Sequence, residues 1–346
     1  MDVRRLVLVF ACALFAAPLG RAQTTAELKL SETVRVADRK ADGIAKPVKC
    51  DSRSNIYAQA GRASERFSRV PVMKVSSEGK VTVFPLPQLE GKTLELLAFD
   101  PTAGGGVVML TVGSDGHHYI ETYNDRAEFD SRFALPAELR PMQIAASSDG
   151  KVLVSGLYPI VGTEGEKTTR PFAGIFGRSG RLEREIEMTD DPLRNEDGTL
   201  REKGLATTPH GKPDPNNLSA TSVQSLPDGN FIFSRLSSGG PIYVVSPAGF
   251  VLNQFDPPAI PGARLSSVTA GEDALAALYI KMKVGDKAGE ISDVYISLLN
   301  AQTGEERARF HHSSWELGSS LACYDNGVFT FLTTDDDGEL ELARAK

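Results

Sequence analysis

Between Ser222 and Pro258 the chain alternates four short apolar runs with turn chemistry. Val223 to Leu226 is followed by Pro-Asp-Gly-Asn, Phe231 to Phe233 by a Ser/Gly/Pro stretch, Ile242 to Val245 by Ser-Pro-Ala-Gly, and Phe250 to Phe255 closes the set. Asp-Gly and Pro-x-Gly between β-rich runs specify hairpins, so this stretch predicts a four-stranded antiparallel meander. A lone meander cannot bury both of its faces, and the fold therefore depends on whether the unit recurs.

It recurs. The second apolar run reappears at Ile56 to Ala58, Val107 to Leu110, Val152 to Val154, Phe231 to Phe233, Ala274 to Tyr279 and Val328 to Phe331. Five of the six follow a recognisable tight turn: Ser52 to Asn55, Ala103 to Gly106, Ser148 to Lys151, Pro227 to Asn230 and Asp325 to Gly327. The repeats stand about 50 residues apart, as blade-sized units do. One interval is longer, and an insertion at about 189–217 accounts for it. Third and fourth runs follow from Val72, Ile120, Ala173, Ile242 and Val294. Second runs are apolar at successive positions, as strands covered on both faces are. Fourth runs turn polar, as in Arg181 to Ile186, which suits an outer edge. A buried inner strand grading to a solvated outer one, repeated around a ring, predicts an all-β, six-bladed β-propeller of four-stranded antiparallel blades.

The sixth unit stops early, with only Glu339 to Ala343 left for a third strand. Alternating apolar residues at Leu28, Leu30, Val34 and Val36 predict an N-terminal strand that completes this last blade and closes the ring. An amphipathic helix lying on the domain is the competing reading of the same residues.

Length and composition fit this picture. The chain has 346 residues and is 41% hydrophobic, enough for one large β domain over residues 23–346. Residues 1–22 carry Arg4 and Arg5, an apolar stretch from Leu6 to Ala17, and a small-x-small site at Gly20-Arg21-Ala22, the pattern of a cleaved signal peptide. The expectation is an exported protein, periplasmic or extracellular, with no integral membrane segment after cleavage. A lipoprotein anchored through Cys12 is the alternative, against which stands the short apolar stretch before it. Cleavage removes three arginines and one aspartate, so the formal charge of −7 becomes −9. An acidic chain without a basic run excludes nucleic acid as the expected partner. The remaining cysteines, Cys50 and Cys323, either pair in an oxidising compartment or remain as two buried thiols.

The units built on x-Asp-Gly-x turns, such as Ser225 to Leu252 and Ala145 to Gly156, resemble the six-bladed propellers of the NHL and TolB-like type. The resemblance covers roughly residues 26–346 and implies the fold. That class includes lactonases, lyases and scaffold modules. Its lactonases hold a divalent metal with acidic and Asn side chains, whereas the inner strands here offer mainly Lys, Arg, Gln and Ser.

Up-and-down strands put tight turns on one rim and longer connections on the other. The long ones are read as Gln59 to Pro71, Gly113 to His118, Tyr158 to Pro171, Met282 to Asp293 and Thr189 to Asn217. Long loops on a rigid rim are where binding groups concentrate, so the expected site is the channel mouth on that side. Lys46, Lys49, Arg140, Arg235, Arg264 and Lys281 are expected there and would suit an anionic ligand. All five histidines, among them the neighbours His311 and His312, fall on the same rim beside Trp315. No metal-site spacing accompanies them. Leu193 and Thr333 stand where the first ligands of two calcium-type loops would be. There is no nucleophile elbow, HExxH, phosphate loop or dinucleotide signature. The sequence-based expectation is a binding module for a small molecule, glycan or protein, with no cofactor. The alternative is a periplasmic lactonase- or lyase-like enzyme using a channel-bound divalent metal.

Overall fold

The computed structural model describes residues 25–62, 64–161, 167–186, 221–235, 241–271, 274–283, 290–313, 317 and 320–346. The signal-peptide segment, the whole 189–217 insertion with His210, and Trp315 lie outside them.

Six antiparallel sheets form the blades. Blade 1 is Gly43–Cys50, Ile56–Gly61, Met73–Val75 and Val81–Val83. Blade 2 is Glu95–Pro101, Val107–Val112, His118–Tyr123 and Phe129–Ala134. Blade 3 is Arg140–Ala146, Val152–Val161, Lys167–Phe176 and Leu182–Glu185. Blade 4 is Thr221–Ser225, Phe231–Arg235, Ile242–Val245 and Val251–Phe255. Blade 5 is Arg264–Ala270, Ala274–Met282, Ile291–Asn300 and Glu306–His312. Blade 6 is Leu321–Asp325, Val328–Thr334 and Glu339–Ala345, completed by Leu30–Lys40. The innermost strand of each blade touches that of the next all the way round, including the sixth against the first.

The hydrophobic pattern explains the layering. Second strands of blades 1 to 5 are buried along most of their length: Val107, Met109 and Leu110 in blade 2 and Leu275 to Leu278 in blade 5 are fully enclosed between neighbouring blades. Outer strands face water, and Leu182–Glu185 is exposed at every position. Each apolar cluster is shared between two blades, such as Val223 and Phe231 of blade 4 with Leu153 and Ile175 of blade 3. Blade-to-blade burial is therefore what holds the ring together.

The N-terminal residues form a strand, and the helical reading is excluded. Val34 pairs with Leu342 and Leu30 with Ala345, and Val36 is buried against blade 6. One element was not expected: Thr25–Glu27 adds to the outer edge of blade 5 as a parallel fifth strand against Arg309 to His311. Leu28, between the two strands, is buried in the cluster shared by blades 5 and 6. The same N-terminal segment thus straps both blades.

Two connections read as long loops are shorter than expected. Pro159 pairs with Thr169 and Lys281 with Asp293, so the strands run on into the supposed loops. Gly113 to His117 is a tight turn, closed by the Gly113 N–H to His117 carbonyl bond of 2.9 Å.

Closure also requires a glycine. Gly79, at φ 79°, ends the turn before the last strand of blade 1, and its carbonyl accepts the Ala37 N–H at 3.1 Å across the seam to blade 6. A Cβ there would run into the Arg35 carbonyl oxygen. Left-handed backbone at a side-chain-bearing residue costs about 1–3 kcal/mol before any clash. Gly79→Ala is accordingly expected to lower unfolding free energy in urea by at least about 1–3 kcal/mol.

Candidate functional site

The penultimate residues of four inner strands are Lys49, Asp100, Gln224 and Thr269, and all four are polar yet buried. A polar group without water needs a partner, and here the partners lie across the axis. Lys49 Nζ donates to Asp100 Oδ1 at 2.6 Å, to the Val223 carbonyl at 2.9 Å and to the Ile144 carbonyl at 3.0 Å. That uses all three ammonium protons. Asp100 Oδ2 accepts the Ala146 N–H at 2.8 Å and the Ser225 hydroxyl at 3.3 Å. Blades 1 to 4 meet on this single ion pair.

The circuit continues through the other blades. Gln224 Oε1 accepts the Ala270 N–H at 3.0 Å, and Thr269 Oγ1 donates to the Leu321 carbonyl at 3.4 Å. Cys323 of blade 6 is joined by a disulfide to Cys50 of blade 1, with their Cα atoms 5.6 Å apart. The free-thiol reading is thereby corrected: the two cysteines face each other from adjacent inner strands. One polar layer, just below the tight turns, links every blade to its neighbours.

Electrostatics in this layer are dominated by desolvation. Burial pushes the Asp100 carboxyl up and the Lys49 ammonium down, and each charge opposes the shift of the other. Burial also raises the Tyr57 phenol, with nearby Asp51 adding to the effect. Tyr57 packs under the blade 1 turn, its hydroxyl 2.8 Å from the Gly105 carbonyl oxygen of blade 2.

Above the layer lies a cavity of about 450 Å³ to which all six blades contribute. Its floor is Lys49, Asp100, Gln224 and Thr269; its walls are turn residues, including Asp51 and Ser54 of blade 1, Thr102 of blade 2, Ser148 of blade 3 and Asp325 of blade 6. Asp325 Oδ2 accepts the Ser54 hydroxyl at 3.1 Å across the closure seam. Asp51 accepts the backbone N–H groups of Arg53 and Asn55 at 2.9 and 3.0 Å, the Asn55 side-chain amide at 2.9 Å and the Tyr57 hydroxyl at 3.1 Å, so its acceptor positions are filled from within blade 1. Among the described residues neither carboxylate forms an ion pair, and the Gln224 amide nitrogen has no hydrogen-bond partner. No three His, Cys, Asp or Glu side chains come together among the described residues in a way that could hold a metal ion.

This cavity opens on the tight-turn side, opposite the rim to which the sequence pointed. Of the residues expected to bind ligand, only Lys49 lines it, and Lys49 lies beneath the tight turns, apart from the long-loop mouth. Arg140 and Arg264 are exposed first residues of the inner strands of blades 3 and 5, at the other mouth. Lys281 is half-buried near Asp293 in blade 5. Arg235 ends the second strand of blade 4, and its side chain is outside the description. His311 Nε2 lies 2.9 Å from Asp293 Oδ1, a contact that holds the Asp293 carboxyl below its ordinary range. His312 Nδ1 is 2.9 Å from the Leu28 carbonyl oxygen, to which it donates, fixing the N-terminal strap. The two histidines are thus engaged in separate structural contacts and do not converge. Asp100, Gln224 and Thr269 were missed. Their signal was available as a polar residue one place before the strand end, directly after a buried apolar one: Val48, Phe99, Val223 and Val268.

Comparisons with known proteins add the following. No family model matches the chain, and no curated relative matches it. Among solved structures, similarity extends to a gluconolactonase from Xanthomonas campestris at 9% identity, covering 92% of this chain and 99% of that one, with a TM-score of 0.47. A protein of unknown function from Bacteroides caccae matches at 11% identity over 78% of this chain and 77% of its own, with a TM-score of 0.37. The Neurospora crassa Pan2 WD40 domain matches at 7% identity over 93% and 96%, with a TM-score of 0.42. Similarities of this order carry no functional assignment, and the propeller assignment rests on the strand pairings themselves.

Proposed function

We propose that the chain is a non-catalytic binding propeller whose ligand occupies the axial cavity on the tight-turn side, and that this ligand is a small polar molecule carrying hydroxyl or ammonium groups. The observation that supports this reading is the enclosure of one polar cavity by all six blades, with hydrogen-bonding capacity left over in its wall. The spare capacity is mainly that of acceptors. The Asp325 carboxylate accepts one hydrogen bond on each oxygen and is uncompensated by a cation among the described residues, and the Gln224 amide nitrogen adds two N–H donors. Concave sites with a few convergent polar groups are the usual seats of small ligands. Lys49 is not free for covalent chemistry on a carbonyl, since its Nζ is enclosed and bonded to three acceptors, Asp100 and the Ile144 and Val223 carbonyls. The Cys50–Cys323 disulfide supports an oxidising compartment and so an exported protein.

A thermal-shift panel tests this. Monosaccharides, polyols and primary amines should raise Tm where small organic acids do not, and Asp325→Asn should remove most of the response. A response confined to the acids, or one unchanged in Asp325→Asn, would refute the assignment.

A further inference from the structure

The mouth opposite this cavity has the reverse electrostatic character. The formal charge of the whole chain is −7, yet inner strands of alternate blades bring a cation to this one opening: Lys46 in blade 1, Arg140 in blade 3 and Arg264 in blade 5. Two of them meet. Lys46 reaches past blade 6 to blade 5, where its Nζ donates to Ser266 Oγ at 3.1 Å, two residues along the strand from Arg264. None of the three is paired with a carboxylate among the described residues. Other cations of the same rim are paired: Arg69 with Glu95 at 3.3 Å and Lys283 with Glu290 at 2.7 Å.

Bringing like charges together without a counter-ion is unfavourable, and the lysine registers it. Desolvation first, and then the Arg264 charge, hold the Lys46 ammonium below its ordinary range. A group in that position gains most from an anion, which would remove the repulsion and supply the missing acceptor. The Lys49–Asp100 layer lies three residues further along the same inner strand, about 10 Å at the strand rise, so the two mouths are separate compartments of one axis.

We propose that the long-loop mouth is a second binding site, specific for a tetrahedral oxyanion, phosphate or sulfate, held between Lys46 and Arg264 with Arg140 facing them across the axis. The anion is either free or the charged group of a small organic carrier. This site is independent of the polar cavity on the other side.

The test uses the intact protein and inorganic phosphate, sulfate and a sugar phosphate, each against chloride at equal ionic strength. Acylation of lysines followed by mass spectrometry reads the site directly. Phosphate should slow modification of Lys46 severalfold and leave the exposed Lys92 unchanged, and Tm should rise by about 1–3 °C at concentrations well above Kd. Stronger protection by the sugar phosphate supports an organic carrier; equal protection supports the free ion. The doubly substituted Lys46→Gln, Arg264→Gln protein should lose the phosphate response while melting in chloride no lower than the parent. Protection of Lys92 equal to that of Lys46, no protection of either, or an undiminished response in the double variant would each overturn the proposal. The labelling arm needs no variant and stands even if the double variant fails to fold.

Discussion

Asp100→Ala is expected to destabilise the protein by about 3–5 kcal/mol, the cost of leaving one partner of a buried ion pair alone. The Lys49 ammonium is 2% exposed, so water cannot replace the lost carboxylate, and the carbonyls of Ile144 and Val223 solvate the charge without neutralising it. The same substitution frees the Ala146 N–H and the Ser225 hydroxyl, so four blades are loosened by one change. Lys49→Met should cost less. It strands Asp100 instead, and a carboxyl whose pKa burial already raises relieves its isolation by taking up a proton. Replacing both, Lys49→Met with Asp100→Leu, should recover much of the loss, because a buried pair is often no better than well-packed apolar residues. Urea unfolding of the two single variants and the double variant measures the coupling. Additive losses in the double variant would show that the pair does not act as a unit.

The second large effect belongs to the ring's seam. Removing the disulfide, by Cys50→Ala or Cys323→Ala, should cost about 2–5 kcal/mol. The two cysteines are separated by 273 residues, so the bond restricts nearly the whole unfolded chain. It also closes the polar layer at the seam between blades 6 and 1, beside the Ser54–Asp325 hydrogen bond. Leu30–Lys40 still fastens blade 6 from outside, so the variants should fold and unfold at lower urea concentration. Treating the parent with a reductant should reproduce the variants' midpoint and leave the variants themselves unmoved. A parent indifferent to reduction would mean that the N-terminal strand alone closes the ring.

The architecture was legible because its causes are local. Apolar second strands and x-Asp-Gly-x turns are visible in any window of ten residues, and Leu30, Val34 and Val36 carry the period of the closing strand. Thr25–Glu27 was not legible, since three exposed residues, all but one of them polar, have no periodicity and pair by backbone alone. The strand lengths in blade 3 were obscured by Pro159 and Pro171, which read as loop residues yet lie within paired strands.

The cavity was harder to see because it depends on distant partners. Lys49 looks like a surface cation until Asp100, 51 residues later, is placed 2.6 Å from it. Loop length, which sequence does show, drew attention to the opposite rim. The cavity's floor comes instead from residues at equivalent positions of four inner strands, Lys49, Asp100, Gln224 and Thr269. The layer is a property of one position repeated from blade to blade, and the loops between the blades carry no trace of it.

The position of a bound molecule decides between the two mouths most directly. Crystals of the intact protein soaked at high concentration with the sugars and amines that raise its Tm should show density above the Lys49–Asp100 pair, in contact with Asp325 and the Gln224 amide. Density for those same molecules on the long-loop side, with the tight-turn cavity holding only water, would contradict it.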